Sequence, residues 1–288
     1  MTRFTFEAIG TSWRIDIDAK LSSLQEAELL SSIKKRIDEF DKAYSRFRKD
    51  SLVTEMSQKS GTYELPDDAP AMLDLYKELY DLTEGKLTPL IGNVISDAGY
   101  DASYSLKQKK ELETPPFWNE VLEYNHPKLT MKKPAILDFG AAGKGYLIDI
   151  VGEVIESKGI SAYLIDAGGD IRHRGTEAIK VGLENPDDFK QVIGVFELKN
   201  GSICGSAGNR RRWDKFTHII DPKTLNSPTE IVATWVAADS TLLADGLATA
   251  LFFVEPEKLG KFRFEYVIIY SDRSFKASDS FKGSMFDA

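Results

Sequence analysis

The chain has one cysteine, Cys204, among 288 residues, which excludes an intrachain disulfide and any multi-cysteine metal site. Its three histidines (His126, His173, His218) are too few for a His-rich zinc centre. No apolar run approaches the length of a membrane span. The opening residues, Met1 to Glu7, lack the apolar core of a signal peptide. Basic residues are outnumbered, 37 Lys and Arg against 45 Asp and Glu, so the net charge is −8. That balance excludes the basic footprint of a nucleic-acid binder and suits a ligand that arrives with a divalent cation. What is there is ordinary for a soluble globular chain, with 42% hydrophobic and 28% charged residues. The length allows a large core and one or two domains.

The most informative stretch is Leu137-Asp138-Phe139-Gly140-Ala141-Ala142-Gly143-Lys144-Gly145-Tyr146. A short apolar run, Ala135-Ile136-Leu137, precedes it. Leu147, Ile150, Val151, Val154 and Ile155 follow at the spacing of one helical stripe. Gly159 closes that helix, and Ala162 to Ile165 reads as a strand entering the glycine turn Asp166-Ala167-Gly168-Gly169-Asp170. A strand, a glycine loop, a helix and a second strand can hold an anion, because helix N-termini offer unpaired N–H groups and glycines admit a phosphate. Lys144 adds a cation. The spacing fits neither a Walker A loop nor the dinucleotide fingerprint, and a purely structural turn is the alternative.

Elsewhere Phe4 to Asp18 reads as a strand pair or a bulged strand broken at Gly10, Leu24 to Tyr44 as a helix, and Ala69 to Thr83 as another. The inward residues of the first helix should be Leu30, Ile33, Ile37, Phe40 and Tyr44. Leu87 to Asn93 reads as an irregular apolar loop, and residues 102–133 as a variable surface excursion with a short helix. Ile179 to Leu183 and Val192 to Leu198 are expected strands, with a hairpin turn at Asn200-Gly201. Ser206 to Arg212 reads as a cationic loop and Phe216 to Ile220 as a strand. Ile231 to Ala237 and Tyr266 to Tyr270 are further strands flanking a helix from Thr241 to Phe252. Helices and strands without strict alternation predict an α+β fold, mixed sheets with flanking helices, in a single unit over 1–288 or two intimately packed subdomains.

Asp245 and Thr249 lie four apart in an apolar helical segment, so both oxygens share a helix face. A carboxylate there needs charge compensation. One reading is a hard-cation site, since carboxylate and hydroxyl oxygens suit Mg²⁺; the other is a helix-end carboxylate with a back-bonded threonine. His218, in Thr-His-Ile-Ile-Asp-Pro, is either a packed residue or a proton acceptor near a metal-bound phosphate.

Six blocks, in order, resemble the bacterial FAD:protein FMN transferases, the ApbE family. They are Gly10 to Arg14, Ser45 to Ser51, Leu137 to Tyr146, Asp166 to Asp170, His218 to Pro222, and Leu243 to Thr249. Members move FMN from FAD onto a threonine or serine of a partner flavoprotein, release AMP, and need Mg²⁺. The resemblance implies a metal held by Ala141, Asp245 and Thr249. It implies FAD contacts from Ile9, Phe47, Thr88, Asp138, Lys144 and Ile220, with His218 as the base. Phe47 stands where the family commonly has tyrosine, Thr88 where it has aspartate, and Ala98 where tryptophan is common. Ser206-Ala207-Gly208-Asn209-Arg210 is a looser match to Ser-Gly-Asp-Tyr-Arg. The export or lipoprotein signal of many members is absent, which points to a cytoplasmic one; an exported form with its signal removed would read the same. The same site with water as acceptor would be an FAD pyrophosphatase, and without turnover a flavin carrier.

Overall fold

The computed structural model of the chain describes residues 1–208 and 211–286. The chain opens with β1 (Thr2–Ala8), β2 (Thr11–Ile17), α1 (Ser23–Tyr44), α2 (Leu52–Met56), β3 (Gly61–Glu64) and α3 (Ala69–Leu82). A 3₁₀ turn at Pro89–Ile91 runs into α4 (Gly92–Ala98), followed by α5 (Trp118–Val121), β4 (Leu122–Asn125), β5 (Lys128–Met131) and α6 (Gly143–Glu156). Next come β6 (Tyr163–Ala167), β7 (Asp170–Arg174), β8 (Ile179–Glu184), β9 (Val192–Leu198) and β10 (Gly201–Ala207). The last part holds β11 (Arg212–Trp213), β12 (Phe216–Thr217), β13 (Ile231–Ala238), α7 (Thr241–Ala250), β14 (Glu265–Tyr270), β15 (Phe275–Ala277) and β16 (Gly283–Met285).

An eight-stranded sheet, ordered β1-β2-β6-β7-β10-β13-β14-β15, carries the molecule. Its ladders are antiparallel, so side chains alternate between two faces. One face, with Trp13, Ile15, Ile17, Ile165, Cys204, Val236 and Ile268, packs into a core with α1, α3, α6 and α7. The other, with Ile171, Ile203, Ala237, Val267 and Ile269, packs against the small sheet β16-β9-β8 through Leu183, Phe196 and Leu198. The alternation is visible within β14, where Ile268 faces the helices while Val267 and Ile269 face the small sheet. A third cluster joins α4 to the β11–β12 hairpin through Val94, Ile95, Tyr100, Trp213 and Phe216. The α+β class with flanking helices is thus the observed one.

Several local expectations need correction. In α1, a Ser22–Gln25 capping box sets the start, and Leu29 rather than Leu30 is buried with Ile33, Ile37, Phe40, Ala43 and Tyr44. Ala135 to Leu137 is not a strand, and α6 begins at Gly143, so Lys144 lies on the helix rather than in a loop. Nor is α6 one-sided. Gly145, Tyr146, Ile148, Asp149 and Gly152 are buried as well as the Leu147 stripe, because the helix lies between α1, α7 and the sheet. Its N-terminus is also less open than an anion cradle requires, since Gly143 donates to Phe139 O (2.7 Å) and Gly145 to Asp245 Oδ2 (2.8 Å). The Leu87 to Asn93 loop is the 3₁₀ turn and the start of α4. Residues 102–133 do contain a short helix, but Trp118, Val121, Leu122, Leu129 and Met131 enter the main core while β4 and β5 form a sheet with β3. Asn200-Gly201 turns the chain, yet β9 and β10 belong to different sheets. Phe216 to Ile220 is strand only for its first two residues, and His218 sits in a bend.

Where α6 crosses α7 only glycine fits. A Cβ on Gly145 would lie 2.2 Å from Thr241 O and 2.7 Å from the Asp245 Cβ. Gly145→Ala must therefore push the helices apart. It should cost at least about 2 kcal/mol in chemical denaturation, the range of core overpacking; a loss under about 0.5 kcal/mol would show the crossing to be soft.

Candidate active site

A cleft of about 1030 Å³ opens between the main sheet, the N-terminal segment of α6, the 45–48 segment and the residues on either side of the β11–β12 hairpin, Arg211 and His218 to Ile220. Ile9, Phe47, Thr88, Asp138, Ala141, Lys144, His218, Ile220, Asp245 and Thr249 all line it. The chain brings them from six separate places. Ile9 occupies the two-residue β1–β2 turn with Gly10, at φ 45°, a left-handed value that a β-branched residue adopts only under constraint. Thr88 is buried, and its Oγ1 accepts from Leu90 N (3.2 Å), capping the 3₁₀ turn.

At one end α6 and α7 meet. Asp245 is buried, and Thr249 lies one turn further, its Oγ1 donating to Ala141 O at 3.3 Å. Ser206 Oγ is 3.4 Å from Thr249 Oγ1. Lys144 pairs with Asp170, which is 1% exposed and also accepts from Gly205 N (3.3 Å). Burial pulls the Lys144 ammonium down, but the Asp170 and Asp245 charges outweigh it and leave it above its usual value. Burial, and then the like charge of Asp170, push the Asp245 carboxyl up to about 8. Two buried carboxylates thus share one lysine, a shortfall of one positive charge.

That shortfall tests the fit of a metal. Among the described residues, Asp170, Cys204 and Asp245 bring one ligand atom each within 4.8 Å of one another. The thiol is a poor partner, because burial and both carboxylates raise its pKa well above the usual value and its Sγ donates to Thr241 O (3.7 Å). Asp245, with the Thr249 hydroxyl and the Ala141 carbonyl, offers an all-oxygen set, the chemistry of a hard divalent cation. The donor set fits Mg²⁺.

The other end is aromatic. Phe47 stacks on Tyr104 (5.4 Å, 13°) and meets Tyr100 edge-on, and Tyr100 stacks on Trp213. Trp213 Nε1 donates to Ala98 O at 2.8 Å, so an indole from β11 packs against the alanine. Asp138 links the two ends: it pairs with Arg46, accepts from Gly140 N (2.7 Å), and its own N–H donates to Pro89 O. His218 is half-buried, and its Nδ1 is buried with no hydrogen-bond partner among the described residues; desolvation, then the charge of Arg211, hold its pKa down at about 4. Asn209 and Arg210 of the loosely matched block lie outside the described residues.

The family model for the ApbE family matches residues 9–265. The chain belongs to the ApbE family. It is 25% identical over 305 residues to an FAD:protein FMN transferase of Escherichia coli K12, covering 96% of this chain and 84% of that protein. It is 26% identical over 303 residues to one of Vibrio cholerae, covering 95% and 90%. The fold is similar to the flavin transferase ApbE from Vibrio cholerae (TM-score 0.79, 23% identity, 98% of both chains) and to the ApbE protein of Thermotoga maritima (TM-score 0.81, 18%, 97% of both). Sequence reasoning about this ApbE-family chain missed Arg46, Tyr104, Asp170 and Ser206. Asp170 stood at the end of a quoted glycine turn, but its burial beside Lys144 leaves no mark in the sequence.

Asp245→Asn should preserve the fold, because the amide oxygen still accepts from Gly145 N while the repulsion with Asp170 disappears. The melting temperature without metal should stay level or rise, and the stabilisation by added Mg²⁺ should vanish. In the parent chain a proton competes for Asp245, so calorimetric Mg²⁺ affinity should tighten as the pH rises toward about 8. Mg²⁺ stabilisation undiminished in the variant would sink the ligand assignment.

Proposed function

We propose that the protein is an Mg²⁺-dependent FAD:protein FMN transferase, moving FMN from FAD onto a Thr or Ser hydroxyl of an acceptor flavoprotein with release of AMP. The observation that carries the reading is convergence. An all-oxygen cation set, a buried lysine–aspartate pair, a neutral imidazole and an aromatic end share one cleft. Its volume is at the upper limit of pockets for drug-sized ligands, which suits a dinucleotide. Ala141, Asp245 and Thr249 would hold Mg²⁺, which when bound supplies electrophilic stabilisation of charge on the diphosphate. Ile9, Phe47, Thr88, Asp138, Lys144 and Ile220 are the proposed flavin-nucleotide contacts.

The chain's own part in the step follows from the protonation states. Lys144 stays cationic and faces the growing phosphate charge. His218, neutral above about pH 4, can take the acceptor's hydroxyl proton. The hydroxyl oxygen bonds to the FMN phosphorus, the bond from that phosphorus to the bridging oxygen breaks, and AMP leaves. An anionic substrate beside the ring raises its basicity when it is needed.

Incubation with FAD, Mg²⁺ and a candidate acceptor, read by the acceptor's mass, tests this. A gain of one FMN marks transfer; free FMN and AMP with an unchanged acceptor mark a hydrolase, and intact FAD marks a carrier. The pH profile tests His218 separately. Because the imidazole of the free protein loses its proton near pH 4, kcat/KM measured at Mg²⁺ concentrations that saturate the Asp245 site at every pH should hold down to about pH 5 and fall only below it. An acidic limb at the ordinary histidine value of about 6.5 would remove His218 as the buried base.

A further inference from the structure

Arg46 sits at the aromatic end of the cleft, and the transfer chemistry makes no use of it. Its side chain is 4% exposed and its Nε donates to Asp138 Oδ2. The guanidinium lies over the Phe47 ring, 4.1 Å from the centroid, and over the Tyr100 ring at 5.1 Å. Yet Nη2 is buried with no hydrogen-bond partner among the described residues. A guanidinium cannot shed its proton, so an unpaired donor there costs stability unless something completes it.

The surroundings say what that something is. Asp138 already supplies the opposite charge, so the remaining N–H suits a neutral acceptor better than a second anion. Lys144 and the proposed cation ligands belong to the other end of the cleft, and at this end Arg211 lies over the Tyr100 ring at 5.5 Å. Around Arg46 the lining is aromatic: Phe47 stacks on Tyr104, and Tyr100 meets both edge-on. The Nη2 N–H bonds lie in the guanidinium plane, so a planar ring that satisfies them does so through an acceptor on its edge and not through its face.

We infer that Arg46 is a binding residue for a planar heterocycle of the ligand, its Nη2 donating to a neutral oxygen or nitrogen on the ring edge. The inference rests on the flavin-nucleotide reading above. FAD carries two such edges, the carbonyls of the flavin and the ring nitrogens of adenine, and binding of the separate halves tells them apart.

The experiment titrates FAD, FMN, ADP and inorganic pyrophosphate, with Mg²⁺, into the parent protein, Arg46→Lys and Arg46→Gln. Lysine keeps a cation for Asp138 and glutamine keeps a neutral NH₂, but neither presents donors on two separate nitrogens of one rigid planar fork. FAD affinity should fall roughly tenfold or more, as for other hydrogen bonds from a charged donor. The loss should appear with FMN or with ADP and be absent with pyrophosphate; the half that moves names the ring. Unchanged FAD affinity overturns the inference, as does an equal loss for all four probes, which marks a general structural effect. A parent protein that binds no FAD removes the flavin reading and this inference together, an outcome distinct from parent and variants binding FAD equally. Should neither variant fold, a crystal of the parent with FAD decides the matter. Nη2 within about 3.2 Å of a ring acceptor supports the inference, and Nη2 still without a ligand atom overturns it.

Discussion

The contact between α6 and α7 governs the geometry of everything in the cleft. Gly145 lets the two backbones approach, and its N–H is spent on Asp245 Oδ2 at 2.8 Å. One turn deeper, Asp149 of α6 accepts from the first N–H groups of α7, Thr241 (2.9 Å) and Leu242 (2.8 Å). An acidic group at a helix N-terminus satisfies orphan donors and complements the dipole. Arg172 of β7 then ties Asp149 to the sheet at 2.5 Å and takes a hydrogen bond position on Tyr163. The rotation of α7 about its axis is therefore set by α6 and by the sheet, and Asp245 and Thr249 have no freedom to face elsewhere.

Charge is distributed in this site so that each buried ion but one has a partner. Lys144 answers Asp170, Arg46 answers Asp138, and Arg172 answers Asp149. Asp245 has only a backbone N–H and lies near the other carboxylate, so burial and repulsion keep it protonated more readily than a free carboxyl. Such a group lowers stability when ionised alone and favours a cation that restores the balance. At the opposite end the unmet demand is a hydrogen bond and not a charge: the Arg46 guanidinium, neutralised by Asp138, keeps a buried donor among aromatic rings with no partner among the described residues. The two unmet demands lie on either side of Asp138, which spans them.

Much of this was legible along the chain. The β1–β2 pair, α1, α3 and α7 follow from periodicity and glycine punctuation, and the ApbE-family blocks lay in order. The misreadings share a cause. The Leu147 stripe looked one-sided because period alone cannot register a helix enclosed on nearly all sides, and Ile148 and Asp149 became core through neighbours distant in sequence. Ala135 to Leu137 has strand composition, but the Ile136 N–H donates to the Asn93 side chain of α4 (Oδ1, 3.0 Å) and not to another strand. Likewise Asn200-Gly201 carries the signature of a hairpin, while the strands on either side join different sheets.

The sequence by itself determined residue chemistry and local periodicity: an oxygen pair four apart on a helix, one histidine in a polar strand end, too few soft ligands for zinc. Only tertiary structure decided which of these groups lost water and which partners they met. Asp170 and Arg46 look like surface charges in the chain and are buried in the fold, at 1% and 4% side-chain exposure. Desolvation and ion pairing depend on distance in space, across 26 residues for Lys144 with Asp170 and 92 for Arg46 with Asp138. No pattern of neighbours along a chain encodes that distance.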